Sequence, residues 1–199
     1  MRILLVGAGG TIGRAVAQAL AARHEVVGVS RSTSPLAADI ADPASLRALF
    51  AAAGPLDAIV GAAGQAKFQP LERLGDDDFA FSLANKLMGQ VNLIRYGLPH
   101  LRDGGAIVVT SGVLSRAPTK GSAAISLVNA GLEGFVRAAA LEAPRGIRVN
   151  VVSPPWVCET LRKLGMDEAI GLPASVVAQA YVRALEGTMT GEVIEPAKG

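Results

Sequence analysis

Residues 3–13 read Ile-Leu-Leu-Val-Gly-Ala-Gly-Gly-Thr-Ile-Gly and decide the fold class. Ile3–Val6 is a continuous apolar run, which is typical of a strand buried on both faces of a parallel sheet. Gly7–Gly13 follows with the spacing G-x-x-G-x-x-G, and the Ala- and Leu-rich residues after it predict a helix over Ile12–Arg23. A strand that ends in a glycine turn and leads into a helix begins a βαβ unit.

The rest of the chain continues this alternation of strands and helices. The predicted strands cover Ile3–Val6, Val26–Val29, Ala58–Val60, Ala106–Thr110, Ile147–Val152 and Gly191–Ile194. The predicted helices cover Ile12–Arg23, Pro43 to about Ala53, Asp76–Leu98, Ser122–Glu142, Thr160–Leu164 and Pro173–Glu186. We therefore expect a single-domain, doubly wound α/β fold of the Rossmann type over residues 1–199. It should have about seven parallel strands in the order 3-2-1-4-5-6-7, with helices on both faces.

Composition excludes several classes of protein. The chain has 199 residues, 50% of them hydrophobic and 18% charged, which excludes a disordered chain. A net charge of +2 argues against a nucleic-acid-binding protein. Cys158, the single cysteine, excludes an internal disulfide, and with two histidines in the chain no metal site is expected.

The hydropathy pattern predicts neither a membrane span nor a targeting segment. No charge-free stretch reaches the roughly 20 apolar residues that a spanning helix needs. The apolar run after Arg2 is too short for a signal peptide and breaks into glycines. We expect a cytoplasmic protein.

The glycine turn predicts dinucleotide binding; the alternative is a plain strand-to-helix turn. Gly7 permits the tight turn, the middle position lets backbone approach a pyrophosphate, and Gly13 lets helix and strand pack closely. The amino end of the helix offers free N–H groups to phosphate. The second strand ends at Ser30-Arg31, and a basic residue there favours NADP(H), with NAD(H) as the alternative.

Several motifs, in the right order, resemble the short-chain dehydrogenase/reductase family. They are the turn Val6–Gly13, the pair Asp39-Ile40, the turn Gly61–Gly64, the stretch Gly146–Asn150 and the pair Pro154-Pro155. The resemblance implies a nicotinamide cofactor and adds Asp39, whose carboxylate would accept from the adenine amino group. Taken together, the glycine turn and the resemblance predict cofactor contacts from Gly7, Gly9, Gly10, Thr11, Ile12, Gly13, Ser30, Arg31, Asp39, Ile40, Ala62, Ala63, Gly64, Asn129 and Pro154.

The positions that carry the family's chemistry depart from its pattern. The family uses a Tyr acid/base with a Lys four residues later, a Ser that orients the substrate oxygen and an Asn that supports a proton relay. Here Ile125 and Asn129 stand at the Tyr and Lys positions, and Gly112 stands at the Ser position, one residue after Ser111. Lys86 stands at the Asn position. Isoleucine cannot exchange a proton.

Two residues remain as catalytic candidates. Lys86 is predicted to reach towards the space vacated at Asn129, there to bind ribose or polarise a carbonyl; the alternative is a surface lysine on an amphipathic helix. Ser111, together with Ser115 or Ser126, is predicted to form a polar pocket, whereas ordinary strand-end and helix serines are the alternative.

The sequence leaves two functions open, one enzymatic and one non-catalytic. One is an NADP(H)-dependent oxidoreductase that transfers hydride between nicotinamide and a small carbonyl or alcohol with a rearranged acid/base. The other is a catalytically inactive dinucleotide-binding sensor or protein-interaction module on the same fold. The stretch Thr160–Gly171 is short where the family carries a substrate-binding lid, so a small-molecule substrate, or no substrate, is expected. The resemblance also implies a homodimer or homotetramer.

Overall fold

The computed structural model describes residues 1–32 and 36–197 and contains a seven-stranded, all-parallel sheet. The strands are β1 (Arg2–Val6), β2 (Glu25–Ser30), β3 (Leu36–Ala37), β4 (Leu56–Gly61), β5 (Leu101–Thr110), β6 (Arg148–Val152) and β7 (Val193–Ile194). Their order is β3-β2-β1-β4-β5-β6-β7, which confirms the predicted topology. Periodicity missed β3, since two residues are too short to show an apolar pattern.

The helices are α1 (Thr11–Leu20), α2 (Pro43–Ala53), α3 (Asp76–Ser82), α4 (Gly89–Gly97), α5 (Ala123–Glu142), α6 (Cys158–Lys163) and α7 (Ala174–Glu186). Short 3₁₀ turns lie at Leu71–Arg73, Leu98–His100, Val113–Ser115 and Glu168–Ile170.

Two predicted elements need correction. The continuous helix expected over Asp76–Leu98 is interrupted by a π-helix at Leu83–Met88, between α3 and α4. The strand expected from Ala106 begins instead at Leu101. Residues 102–104 are exposed, so the first half of this strand contains no continuous apolar run. The other predicted elements agree with the structure to within three residues at either end.

Helices cover both faces of the sheet, and β1 shows why. Ile3 and Leu5 are buried in the core beneath α1 and α7. Leu4 and Val6 are buried in the core beneath α2, α4 and α5. A strand whose alternate side chains are all buried needs a layer on each side, which explains its continuous apolar run.

Helix α5 packs on the sheet with one face and leaves leucines exposed on the other. Val128, Leu132 and Val136 are fully buried, while Leu141 is 90% exposed. By length and composition α5 is the one described helix apolar enough to cross a membrane, a test that core helices also meet.

A buried polar group joins the carboxyl end of β5 to its neighbours. The Gln90 side chain on α4 donates to the Thr110 carbonyl at 2.6 Å and accepts from the Thr110 N–H at 2.7 Å. The Thr110 hydroxyl donates to the Gly61 carbonyl at 2.6 Å and lies 2.6 Å from the Tyr181 hydroxyl on α7. These bonds align the ends of β4 and β5, where the site is built.

Replacement of this glutamine should destabilise the fold. In Gln90→Ala, the buried N–H and carbonyl of Thr110 lose their partner, so the free energy of unfolding should fall by about 2–4 kcal/mol in urea denaturation. Gln179→Ala, an exposed glutamine on α7, is the control and should change it by less than about 0.5 kcal/mol. Equal losses in the two variants would contradict the role of Gln90.

Candidate functional site

The glycine turn packs β1 against the loop after β4. Gly7 has φ +92°, and a Cβ there would lie 2.7 Å from the Ala62 carbonyl carbon. A Cβ on Gly13 would overlap the Gly7 carbonyl oxygen. The turn is therefore limited to glycine at both positions, which is the close backbone packing that the sequence predicted.

The turn ends at the amino end of α1, which no side chain caps. Gly10 is the N-cap residue, and the first turn of α1 contains no acidic residue. Its first N–H groups and the helix dipole therefore present partial positive charge at this end. Such an end favours an anionic group.

A cleft of about 410 Å³, here called the glycine-turn cavity, opens beside the turn. It lies where the strand order reverses between β1 and β4, the usual ligand crevice of doubly wound sheets. The predicted cofactor residues that line it are Gly7, Gly9, Gly10, Ser30, Arg31, Asp39, Ile40, Ala62, Ala63 and Gly64.

The far wall of this cavity combines a base, an acid and an apolar side chain. Arg31 and Asp39 are both exposed at the cavity wall, and Asp39 Oδ1 accepts from the Ala41 N–H at 2.9 Å. Ile40 is buried and packs against Gly89, where a Cβ would lie 2.8 Å from it.

A second cleft of about 170 Å³, the Lys86 cavity, lies at the carboxyl ends of β5 and β6. It brings together Lys86, Ser111, Gly112, Ile125, Asn129 and Pro154, with Trp156, Val157 and Thr160. The structure thus places Lys86 in the same cavity as Gly112, Ile125 and Asn129, which stand at the family's Ser, Tyr and Lys positions. The remaining walls are largely apolar.

The π-helix positions Lys86. A π-turn inserts one extra residue and often marks a functional site. Lys86 packs on Gly64, whose Cβ position is 3.2 Å from the Lys86 Cα, and its ammonium donates to the Ser111 carbonyl at 3.3 Å. Burial lowers the pKa of Lys86 from 10.5 to about 8.

Asn129 carries an unused acceptor in the same cavity. Its Nδ2 donates to the Gly112 carbonyl at 3.2 Å. Its Oδ1 is buried and has no hydrogen-bond partner among the described residues. A buried acceptor without a partner costs about 1–3 kcal/mol, so the site favours a ligand with a hydrogen-bond donor here.

Comparison with known proteins places this arrangement in a family. The family model described as Enoyl-(Acyl carrier protein) reductase matches residues 12–189. The chain is 30% identical over 198 residues to 3-oxoacyl-[acyl-carrier-protein] reductase FabG of Escherichia coli, an alignment that covers 88% of this chain and 81% of that protein. The chain belongs to the short-chain dehydrogenase/reductase family.

Other known proteins resemble the chain over most of its length. D-erythrulose reductase of Gallus gallus is 31% identical over 190 residues, which are 84% of this chain and 75% of that enzyme. The crystal structure of lin1944 from Listeria innocua superposes with a TM-score of 0.95 at 36% identity and covers 98% of each chain. A small-chain dehydrogenase solved in complex with NADPH superposes with a TM-score of 0.86 at 26% identity, over 98% of this chain and 95% of that one.

The Ser111 hydroxyl of this short-chain dehydrogenase/reductase is already engaged. Ser111 Oγ donates to Glu133 Oε1 at 2.7 Å, so its one proton is not available to a substrate oxygen in this arrangement. Of the two partners expected for Ser111, Ser115 shares a polar cluster with it around this carboxylate, and Ser126 does not. Ser115 donates to the same carboxylate at 2.8 Å, whereas Ser126 lies 3.1 Å from Ser122.

Glu133 is the residue that sequence reasoning missed. It is 8% exposed, and its Oε1 also accepts from Ser153 at 3.0 Å. Its spacing contained the signal, because Glu133 follows Asn129 by four residues and so shares its helix face. This carboxylate ties the ends of β5 and β6 to α5.

The remaining predicted cofactor residues lie outside the glycine-turn cavity. Thr11 Oγ1 accepts from the Lys163 ammonium at 2.9 Å. Ile12 packs against the core beneath α1 and α7, and Gly13 is held against Gly7. Asn129 and Pro154 line the Lys86 cavity.

No group of three His, Cys, Asp or Glu side chains within the described residues is placed to hold a metal ion. Among the residues that line the Lys86 cavity, Lys86 is the one with a charged side chain.

The low pKa of Lys86 should be visible in the stability of the protein. The unfolded chain regains the ordinary pKa of 10.5, so between about pH 8 and 10.5 it binds more protons than the folded state. The wild-type free energy of unfolding should therefore rise with pH across this window relative to Lys86→Met. Urea denaturation at pH 7.5 and 9.5 measures the difference in free energy of unfolding between the wild type and Lys86→Met. The same difference at both pH values would contradict a low pKa.

Proposed function

We propose that this protein is an NADP(H)-dependent oxidoreductase that acts on a small carbonyl or alcohol, with Lys86 as its general acid/base. The observation that carries the proposal is the position of Lys86. Its ammonium has a pKa of about 8 and lines a cavity in which the family's Tyr and Lys positions hold Ile125 and Asn129.

The residues of the chain fit a dinucleotide at three points. The glycine turn leaves no room for a Cβ at Gly7, and it offers the uncapped amino end of α1 to the diphosphate. Arg31 and Asp39 stand on the far wall of the glycine-turn cavity, where the 2′-phosphate and adenine would lie. Asn129 Oδ1, which has no partner among the described residues, would accept a hydrogen bond from a ribose hydroxyl.

When bound, the nicotinamide supplies the hydride for reduction and accepts it for oxidation. In the direction of reduction, Lys86 donates a proton from Nζ to the substrate oxygen; in oxidation the neutral amine takes the proton back. A pKa of about 8 leaves both forms populated near neutral pH. The positive charge of Nζ also stabilises the negative charge that develops on that oxygen.

The rest of the Lys86 cavity limits what can react. Its walls, which include Ile125 and Trp156, are largely apolar and leave Lys86 as the titratable group among its lining residues. A small ketone or aldehyde is the proposed substrate class, because the stretch Thr160–Gly171 is short where the family carries a substrate-binding lid.

A catalytically inactive dinucleotide-binding protein is the second candidate. It is favoured by Ile125 and Gly112, which remove the hydroxyl groups that the family resemblance predicts at those positions. Turnover separates the two candidates, because both predict cofactor binding.

Loss of the Lys86 ammonium should abolish reduction and spare cofactor binding. NADPH consumption with a panel of small ketones and aldehydes should fall about 100-fold or more in Lys86→Met, while calorimetry shows NADPH affinity changed by less than about threefold. In the wild type, the rate of reduction should fall above about pH 8, as the ammonium deprotonates.

Lys120→Met, an exposed lysine in the turn before α5, is the control and should retain the wild-type rate. Equal rates in the wild type and Lys86→Met would remove Lys86 from the mechanism. Saturable NADPH binding without turnover on any substrate of the panel would favour the inactive protein.

Arg31 should set the preference for NADPH over NADH. Arg31→Ala removes the cation on the wall of the glycine-turn cavity, so NADPH affinity should fall about tenfold and NADH affinity should change little. Calorimetric titration of both cofactors measures this, with the exposed Arg73→Ala as the control. An equal loss for both cofactors would show that Arg31 does not read the 2′-phosphate.

A further inference from the structure

The segment of residues 156–172, here called the α6 segment, is tied at its base and reaches across to α1. Its ends pair through Val157 and Leu172, and the Cys158 N–H donates to the Leu172 carbonyl at 2.9 Å. At the end of α6, the Lys163 ammonium donates to Thr11 Oγ1 at 2.9 Å, a contact across 152 residues of sequence.

This contact brings two positive groups together. Thr11 is the first residue of α1, whose amino end has no acidic residue in its first turn. A cation is unfavourable at this end of a helix, because the dipole there is positive. The hydroxyl of Thr11 provides a neutral acceptor but no compensating charge.

The acidic residues of the α6 segment do not compensate Lys163. Glu159 accepts from the Ala174 N–H at 2.9 Å, and Glu168 binds Arg162 at 2.6 Å. In residues 1–32 and 36–197, no carboxylate oxygen lies within 4.0 Å of the Lys163 ammonium. An anion from a ligand would remove this repulsion.

Residues close to this pair in the chain line both cavities. Gly9 and Gly10, directly before Thr11, line the glycine-turn cavity. Thr160, one helical turn before Lys163, lines the Lys86 cavity. A dinucleotide that reaches from one cavity to the other would pass Gly9, Gly10 and Thr160, the neighbours of this pair, and the middle of such a molecule is its diphosphate.

We propose that Lys163 binds the cofactor diphosphate and so fixes the α6 segment over it. The inference rests on the proposed cofactor and adds a residue to its site. Because Trp156, Val157 and Thr160 of the same segment line the Lys86 cavity, cofactor binding through Lys163 also completes the substrate cavity.

Calorimetry with three probes tests the assignment. In Lys163→Met, affinity for NADPH and for ADP-ribose, which both contain a diphosphate, should fall about tenfold at low salt. Affinity for adenosine 2′-monophosphate, which lacks one, should change by less than about twofold. Lys163→Arg should restore most of the binding, and added salt should shrink the difference between variants.

Arg183→Met is the matched control for the loss of one positive charge. Arg183 is exposed on α7 close to Glu186, which pairs with Arg23 just beyond the opposite end of α1. This variant should bind all three probes as the wild type does. Since Lys163 is exposed, circular dichroism should show native folding in Lys163→Met, and Lys163→Gln gives a second neutral variant.

The outcomes separate the two proposals. If the wild type binds NADPH and ADP-ribose and Lys163→Met binds them with the same affinity, the role of Lys163 is overturned and the cofactor proposal stands. An equal loss for adenosine 2′-monophosphate would also overturn it, because the effect would then be general attraction of anions. Absence of NADPH and ADP-ribose binding to the wild type would overturn the cofactor proposal itself, and the inference with it.

Discussion

The close backbone contact at the glycine turn is the constraint on which the rest of the structure depends. Gly7 lies against Ala62, and Gly13 lies against Gly7, with no space for a side chain at either glycine. This contact joins the ends of β1 and β4 at the point where the strand order reverses. It creates the glycine-turn cavity and directs the amino end of α1 at it. A larger residue would separate these elements.

The charge of the Lys86 cavity comes from a different helix than the resemblance predicts. Ile125 leaves α5 without a titratable group at the Tyr position, while the π-helix at Leu83–Met88 places Lys86 against Gly64 and below the Ser111 carbonyl. One lysine in an apolar cavity titrates near neutral pH because burial disfavours its charged form. The titratable group of the cavity therefore lies on the π-helix and not on α5.

Buried hydrogen bonds hold the cavity walls in place. Glu133 accepts from three serine hydroxyls and ties α5 to β5 and β6, and Gln90 pairs with both backbone groups of Thr110. These groups have their partners within the chain. Asn129 Oδ1 does not, and Lys163 has no carboxylate partner among the described residues. The groups that hold the walls are therefore paired, whereas Asn129 Oδ1 and Lys163 keep unused bonding capacity among the described residues.

The sequence by itself determined the fold, because continuous apolar runs and the glycine spacing are local features that identify a parallel sheet and its crevice. It also indicated most residues of the glycine-turn cavity: the glycines, Ser30, Arg31 and the Ala62–Ala63 pair follow directly on predicted strands, whereas Asp39 and Ile40 came from the family resemblance. Only the tertiary structure decided that Glu133 engages Ser111, that a π-helix presents Lys86 and that Lys163 reaches Thr11. These contacts join residues 22 to 152 positions apart, and no local periodicity encodes such pairings.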